Sequence, residues 1–152
     1  MSFEAPVGLL RVIIEATPFL NFNGDCHEAI ALYQKALDAE VQDRRGWDPA
    51  MFDGGEVPEA MKNGVMYARL QMGKVPLEMS DVPPHMKVQP GSNHTVNLHI
   101  SDPEELDRRF ELLAQGGKVE MAPENMFWGA RYGKLVDRFG ISWSFHCQLT
   151  PG

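Results

Sequence analysis

Cysteine is scarce in this sequence. The chain also has none of the cysteine spacings that bind the metals or form the disulfides of many small proteins. The 152 residues include only Cys26 and Cys147, with no CxxC and no Cys/His pattern of a structural zinc site. A chain of this length can bury about 68–70% of its unfolded surface, so it needs no such cross-links. We therefore expect a single domain over residues 1–152, with two free thiols in a reducing, cytoplasmic setting.

Long apolar runs and clustered positive charges are missing as well. No stretch approaches the roughly 18 apolar residues of a membrane span, and Arg11 interrupts the short apolar patch at 7–14, so we expect neither a membrane helix nor a signal peptide. The formal net charge is −7, and no basic stripe offsets it. The sequence therefore predicts no nucleic-acid partner and no membrane partner.

An internal repeat organises the chain. Residues 17–37 and 94–114 are similar at a shift of 77 residues, which places Asp25 on Asp102 and Glu28 on Glu105. Each copy begins with alternating apolar residues, which indicate a strand. An Asp-x-x-Glu that resembles a helix capping box follows, and then apolar residues at helical spacing. We predict two copies of one module, at about 14–82 and 93–150, joined by a proline-rich linker at about 83–92.

Three further strands are expected after each helix. We predict them at Ala39–Trp47, Val65–Met72 and Pro76–Ser80, and again at Lys118–Pro123, Ala130–Asp137 and Ile141–Gln148. Asp137 to Gly140 has the composition of a tight turn. The order strand–helix–strand–strand–strand, twice, predicts an α+β fold with its helices outside a curved sheet.

The sequence resembles the vicinal-oxygen-chelate superfamily of glyoxalases, bleomycin-resistance proteins and dioxygenases, and within it the PhnB-like branch. Three segments carry the resemblance: PFLNFNGDCHEAIALYQKAL (18–37), YARLQMGKVPLEMSD (67–81) and FWGARYGKLVDRFGISW (127–143). It implies two βαβββ modules that form a curved, partly open mixed sheet around a cavity, in a homodimer. It names no reaction and leaves open whether the modules pair within one chain or across the dimer. The methyltransferase label common in this branch is excluded, because the chain has no glycine-rich nucleotide loop.

The resemblance also implies where a metal would bind. Metal-dependent members hold one divalent ion with four side chains on the first and last strands of each module. Strand parity places these positions at Thr17, Glu78, Thr95 and Ser144. Hydroxyl groups are poor ligands, so only Glu78 matches, and we expect no inherited metal site and no cofactor. A displaced site for a divalent metal on Glu78, His99 and His146 stays open as the alternative.

Several side chains are expected to face the cavity and are candidates for function. His99, His146 and Glu78 are candidate catalytic residues, because imidazole and carboxylate can transfer protons; a hydrogen-bonded cavity wall is the alternative. Arg69 could bind an anion or pair with Glu78, and Trp128 lies at a cavity mouth or a dimer seam. The expected cavity lining is Tyr67, Arg69, Gln71, Glu78, Thr95, Asn97, His99, Trp128, Ser144 and His146.

Three functions are consistent with this pattern. The first is a PhnB-like protein that binds a small organic ligand in its cavity without a metal. The second is a lyase, isomerase or dioxygenase that uses a divalent metal. The third is a dimeric scaffold without a ligand.

Overall fold

The computed structural model describes residues 12–149, which form two copies of a β-α-β-β-β module. The first contains β1 (Phe19–Phe22), α1 (Cys26–Leu37), β2 (Glu40–Arg45), β3 (Tyr67–Met72) and β4 (Val75–Asp81). The second contains β5 (Val96–His99), α2 (Pro103–Ala114), β6 (Lys118–Asn125), β7 (Ala130–Val136) and β8 (Ser142–Gln148). The three strands predicted after each helix are all present, and their ends differ from the prediction by at most two residues.

Each module forms a four-stranded mixed sheet, and the two sheets have the same strand order. The first is β1-β4-β3-β2 and the second β5-β8-β7-β6. β1 runs parallel to β4 and β5 parallel to β8, while the other neighbours are antiparallel. The α+β class is therefore confirmed, with β1 and β5 at sheet edges. One face of each sheet packs against the helices, and we call the opposite one the open face.

Equivalent residues of the two modules are separated by one number of residues in the helices and by another in the strands before them. α1 and α2 begin and end 77 residues apart. The helix-facing side chains Leu20 and Phe22, however, correspond to Leu98 and Ile100, which lie 78 residues further along. Counted from the last helix-facing side chain, Phe22 or Ile100, the path to the helix is therefore one residue longer in the first module. Gly24 lies there with a φ of 96°, a left-handed conformation that glycine adopts without a steric cost.

This longer connection changes the start of α1. The capping box predicted at Asp25 is wrong, because the Asp25 side chain makes no capping hydrogen bond. Asp81 at the end of β4 accepts hydrogen bonds from the backbone N–H groups of Gly24 and Cys26 instead, at 2.9 and 3.0 Å. Its second oxygen accepts from the N–H of Val65 at 2.8 Å. A carboxylate from the far end of the module thus satisfies backbone donors that would otherwise lack partners.

Of the capping box predicted at the start of α2, only the half made by Asp102 is present. The Asp102 side chain accepts a hydrogen bond from the N–H of Glu105 at 2.9 Å, and Pro103 occupies the first turn. The Glu105 side chain does not return to the cap. Its carboxylate accepts hydrogen bonds from Arg108, three residues later on the exposed surface, at 2.8 and 3.0 Å.

The core between the helices and the sheets holds both thiols and two large aromatic side chains of β8. Trp143 and Phe145 are fully buried, as predicted, and Phe145 meets Phe110 of α2 edge to face, with 5.2 Å between ring centroids. Cys26 and Cys147 are free and buried. Burial raises the pKa of the Cys26 thiol to about 12, so this thiol stays protonated and inert.

A buried carboxylate joins the two modules. The Tyr33 hydroxyl of α1 donates to Asp137 Oδ2 at 2.6 Å, and Trp143 Nε1 donates to the same oxygen at 2.9 Å. Asp137 Oδ1 accepts from the N–H groups of Phe139 and Ile141 at 2.9 and 3.0 Å. The side chain of Asp137 is almost fully buried, and these four hydrogen bonds replace the water that burial removes.

The segment between β4 and β5 is attached to both modules. Asn23 accepts a hydrogen bond from the N–H of Val88 at 2.8 Å and donates to its carbonyl at 3.3 Å. Pro90 lies against Gly140, where a β-carbon would approach the proline ring to 3.0 Å. Gly140 also has a φ of 89°, a left-handed conformation that favours glycine, so the turn after β7 is shaped to receive the linker.

We expect Tyr33→Phe to lower the free energy of unfolding by about 1.5–3 kcal/mol, the usual value of a hydrogen bond to a charged group. Burial and the Asp137 carboxylate hold the pKa of Tyr33 well above its usual range, so the hydroxyl is a donor across the working pH range. Urea denaturation measures the change. Tyr132→Phe, on the open face, is the matched control and should cost less than about 0.5 kcal/mol. Equal stability of Tyr33→Phe and the parent would contradict the assignment.

Candidate functional site

The open face of the first sheet is centred on Glu78. One carboxylate oxygen of Glu78 accepts a hydrogen bond from Thr17 Oγ1 and the other from the Tyr67 hydroxyl. Phe19 pairs with Glu78 across β1 and β4, and its ring lies 6.3 Å from that of Tyr67. The hydrogen bonds from Thr17 and then Tyr67 hold the pKa of Glu78 below its usual value. Glu78 is therefore an ionised carboxylate with both oxygens occupied.

Arg69 lies beside this cluster but binds a different carboxylate. Its Nη2 is 3.0 Å from Glu15 Oε1, and its Nη1 is 3.3 Å from Glu15 Oε2. The distance from Arg69 Nη1 to Glu78 Oε2 is 4.0 Å. The expected Arg69–Glu78 pair is thus the longer of two contacts, because Glu15 reaches the guanidinium in a two-pronged geometry. Gln71, the next residue on this face, donates to the carbonyl of Gly73 at 2.8 Å.

A hydrogen-bonded polar array covers the open face of the second sheet. Ser144 Oγ donates to Asn97 Oδ1 at 2.7 Å, and Asn97 Nδ2 lies 3.0 Å from His99 Nε2. The rings of His99 and His146 are in contact, with 5.1 Å between centroids. Thr95 Oγ1 lies 3.0 Å from the Ser142 hydroxyl. The structure thus brings together the expected residues of this sheet on one face.

Two residues of β7 on this face were absent from the expected lining. Tyr132 lies directly opposite His146, and Lys134 lies opposite Ser144. Trp128, just before β7, has its ring centroid 6.4 Å from that of Tyr132. The alternation along β7 could have indicated both residues. The resemblance implies ligands on the first and last strands of each module, and so it does not point to residues of β7.

A cleft of about 1160 Å³ separates the edge strands β1 and β5. Its walls include Phe19 and Asn21 from β1 and Asn97 and His99 from β5. Leu37 and Arg109 of the helix layer also line it, and Val88 to Gly91 of the linker close part of its boundary. The cleft therefore combines apolar walls with a few polar groups, which is typical of sites for small organic molecules.

The residues at the four inherited metal positions do not fit a catalytic divalent metal. Thr17 donates to Glu78, Thr95 bonds Ser142, and Ser144 donates to Asn97. Hydroxyl oxygens are weak ligands, and the single carboxylate already accepts two hydrogen bonds. Across residues 12–149 no three His, Cys, Asp or Glu side chains are grouped for a metal, so the structure does not gather Glu78, His99 and His146.

The fold and this arrangement agree with a known superfamily. Residues 18–145 match the Glyoxalase/Bleomycin resistance protein/Dioxygenase superfamily. The chain belongs to this superfamily. Within residues 12–149, no helix is long and apolar enough to cross a membrane.

Relatives of this glyoxalase-superfamily chain cover most of its length. Protein YjdN of Escherichia coli K12 is 33% identical over 134 residues, which are 84% of this chain and 90% of YjdN. The crystal structure of PA1353 from Pseudomonas aeruginosa has a TM-score of 0.73 at 32% identity, covering 89% of this chain and 98% of that one. A PhnB protein from Bacillus cereus, described as a putative 3-demethylubiquinone-9 3-methyltransferase, has a TM-score of 0.69 at 24% identity, covering 88% and 98%. That last likeness shows the fold alone.

We expect Thr17→Val to raise the pKa of Glu78, because it removes one of the two hydroxyl donors. A glutamate with a lowered pKa in the folded state stabilises the fold above the usual glutamate pKa, and this stabilisation is lost as the pH falls through the lowered value. Thr17→Val should therefore be less stable than the parent near neutral pH, and the difference should vanish in acid. Carbon-13 NMR titration of the Glu78 carboxyl and urea denaturation at both pH values measure this. Ser80→Ala, on the same strand as Glu78, is the control. An unchanged Glu78 titration in Thr17→Val would contradict the prediction.

Proposed function

We propose that this glyoxalase-superfamily protein belongs to the PhnB-like branch and binds a small organic ligand in the cleft between β1 and β5, without the superfamily's metal. The observation that carries the proposal is the cleft itself. Its volume of about 1160 Å³ is slightly above the range of about 300–1,000 Å³ typical of ligand sites, so a small organic molecule fits in it. Apolar side chains such as Phe19 and Leu98 line it beside hydrogen-bonding groups such as Asn97 and His99.

Two features support binding without a metal. Both oxygens of Glu78, the single carboxylate at the inherited ligand positions, accept hydrogen bonds from hydroxyl groups, so the charge of Glu78 is stabilised without a cation. The polar groups of β5 are also pre-ordered, since Asn97 is held between Ser144 and His99. A pre-ordered polar wall lowers the entropy cost of binding a ligand. The PhnB-like assignment rests on the three quoted segments and on the fold of the Bacillus cereus protein.

A thermal-shift screen of metabolites tests the proposal. A ligand at 100 times its dissociation constant stabilises the protein by about 2.7 kcal/mol, so at least one compound should raise the unfolding temperature clearly. Asn21→Trp places a large ring in the cleft and should abolish that shift, because Asn21 is an exposed residue of its wall. Gln34→Trp, on the exposed side of α1, is the control and should keep it.

Three outcomes would contradict the proposal. The first is a broad screen without any stabiliser, which would favour a scaffold without a ligand. The second is a stabiliser that acts equally on Asn21→Trp. The third is stoichiometric divalent metal, measured by elemental mass spectrometry on protein purified without chelator, which would favour a metal-dependent lyase, isomerase or dioxygenase.

The proposal includes a homodimer, as the family resemblance implies. Val12, Ile13, Ile14 and Phe127 are strongly exposed apolar side chains that a second copy could cover. Sedimentation velocity at micromolar concentration should give twice the 17.0 kDa mass of the chain. A 17.0 kDa species across this range would overturn the dimer without affecting the ligand test.

A further inference from the structure

A row of aromatic rings crosses the open face of the second sheet. His99 on β5 lies opposite His146 on β8, and His146 lies opposite Tyr132 on β7. The His99 and His146 ring centroids are 5.1 Å apart, and those of Tyr132 and Trp128 are 6.4 Å apart. We call these four residues the ring row. Neighbouring strands are spaced by about 4.8 Å, so the part of the ring row from β5 to β7 spans about 10 Å.

The ring row is accessible and does not belong to the apolar core. The Trp128 side chain is 51% exposed, His99 is exposed, and Tyr132 and His146 are half-buried. Large rings that serve only packing belong to the opposite face of the same strands, where Trp143 is fully buried. Aromatic rings that remain at the surface next to one another offer stacking and edge contacts to another planar ring.

A polar row lies beside the ring row, two residues away along each strand. Asn97 on β5 lies opposite Ser144 on β8, which lies opposite Lys134 on β7. Asn97 Oδ1 accepts from Ser144, so its amide Nδ2 is turned to His99 Nε2, 3.0 Å away, and donates to it. In this hydrogen bond His99 Nε2 is the acceptor. The hydrogen bond fixes His99 in the ring row.

Lys134 provides a positive charge beside the polar row. Its Nζ lies 3.8 Å from Glu120 Oε1, and both side chains are more than a third exposed. An exposed ion pair at that distance contributes little, so an acid group of a ligand can replace Glu120 at a small cost. The ammonium group would then donate hydrogen bonds to the ligand.

We propose that the open face of the second sheet binds a planar aromatic or heteroaromatic anion, with its ring against the ring row and its acid group at Lys134. This site goes beyond the proposed function and adjoins it, since Asn97 and His99 belong both to this face and to the cleft wall. A bicyclic ring matches the width of the row, and a carboxylate on that ring reaches the polar row beside it.

Binding of 2-naphthoate, measured by isothermal titration calorimetry on the full chain, tests the proposal. Cyclohexanecarboxylate carries the same charge without a planar ring, and 2-naphthamide carries the ring without the charge. We expect 2-naphthoate to bind at least about tenfold more tightly than either compound. Equal affinity for 2-naphthoate and cyclohexanecarboxylate, or no binding of 2-naphthoate, would overturn the proposal.

Two variants locate the site. Tyr132→Leu removes a ring of the row and should weaken 2-naphthoate binding about threefold to tenfold. Lys134→Met removes the charge, keeps most of the side chain, and should weaken it about tenfold while leaving the affinity for 2-naphthamide unchanged. Phe52→Leu and Lys35→Met, away from this face, are the matched controls and should bind like the parent. Unfolding midpoints of all four variants identify any loss that is due to misfolding.

The results separate this proposal from the proposed function. In one outcome, Asn21→Trp abolishes 2-naphthoate binding, and Tyr132→Leu and Lys134→Met leave it unchanged. The ligand then lies in the cleft, so the proposed function stands and the ring-row proposal is overturned. In the other outcome, Tyr132→Leu and Lys134→Met weaken binding, and no metabolite stabilises the protein in a way that Asn21→Trp abolishes. The ring-row proposal then stands, and the proposed cleft site is contradicted.

Discussion

The carboxylate of Asp137 is the point at which the two modules become one structure. It is buried, and Tyr33 of the first module and Trp143 of the second donate to the same oxygen. A buried carboxylate without partners would cost several kcal/mol, so this geometry is strongly favoured once the modules dock. The contact also places α1 beside α2 and sets the relative position of the two sheets. The cleft between β1 and β5 follows from that position.

The cleft exists because the modules meet through their helices and not through their sheets. β1 and β5 each pair with one neighbouring strand, and side chains of the helix layer cross between the modules, as in Tyr33 with Asp137 and Arg109 with Asp38. The linker crosses the same region, held by Asn23 and by the glycine turn after β7. A space bounded by two sheet edges and a linker is well suited to a ligand, since backbone and side-chain groups both line it.

The chemistry of the open faces also differs from that of a metal site. Where the superfamily's metal-dependent members place ligands, this chain places Thr17, Thr95 and Ser144, and each hydroxyl is used in a hydrogen bond within its own module. Glu78 keeps its charge because hydroxyl groups donate to it. The polar groups thus form two small, internally satisfied networks, one on each sheet, which fits recognition of an organic molecule better than coordination of an ion.

Strand parity and the repeat were enough to predict much of this from sequence. The alternation in β5 and β8 correctly separated Trp143 and Phe145, which pack on the helix, from Asn97, Ser144 and His146 on the open face, because neighbouring residues of a strand must point to opposite sides. The same rule applied to β7 would have included Tyr132 and Lys134.

Partners that lie far apart in the chain could not be predicted in this way. Asp81 caps α1 in place of Asp25, and Arg69 pairs more closely with Glu15 than with Glu78. Tyr33 donates a hydrogen bond to Asp137, which lies 104 residues away in the sequence. Local patterns determine which face a side chain occupies, and therefore the sequence by itself determined the modules, their strands and their polar faces. The docking of one module on the other decides which groups meet, so only the tertiary structure could decide the buried carboxylate, the cleft and the separation of Glu78 from the two histidines.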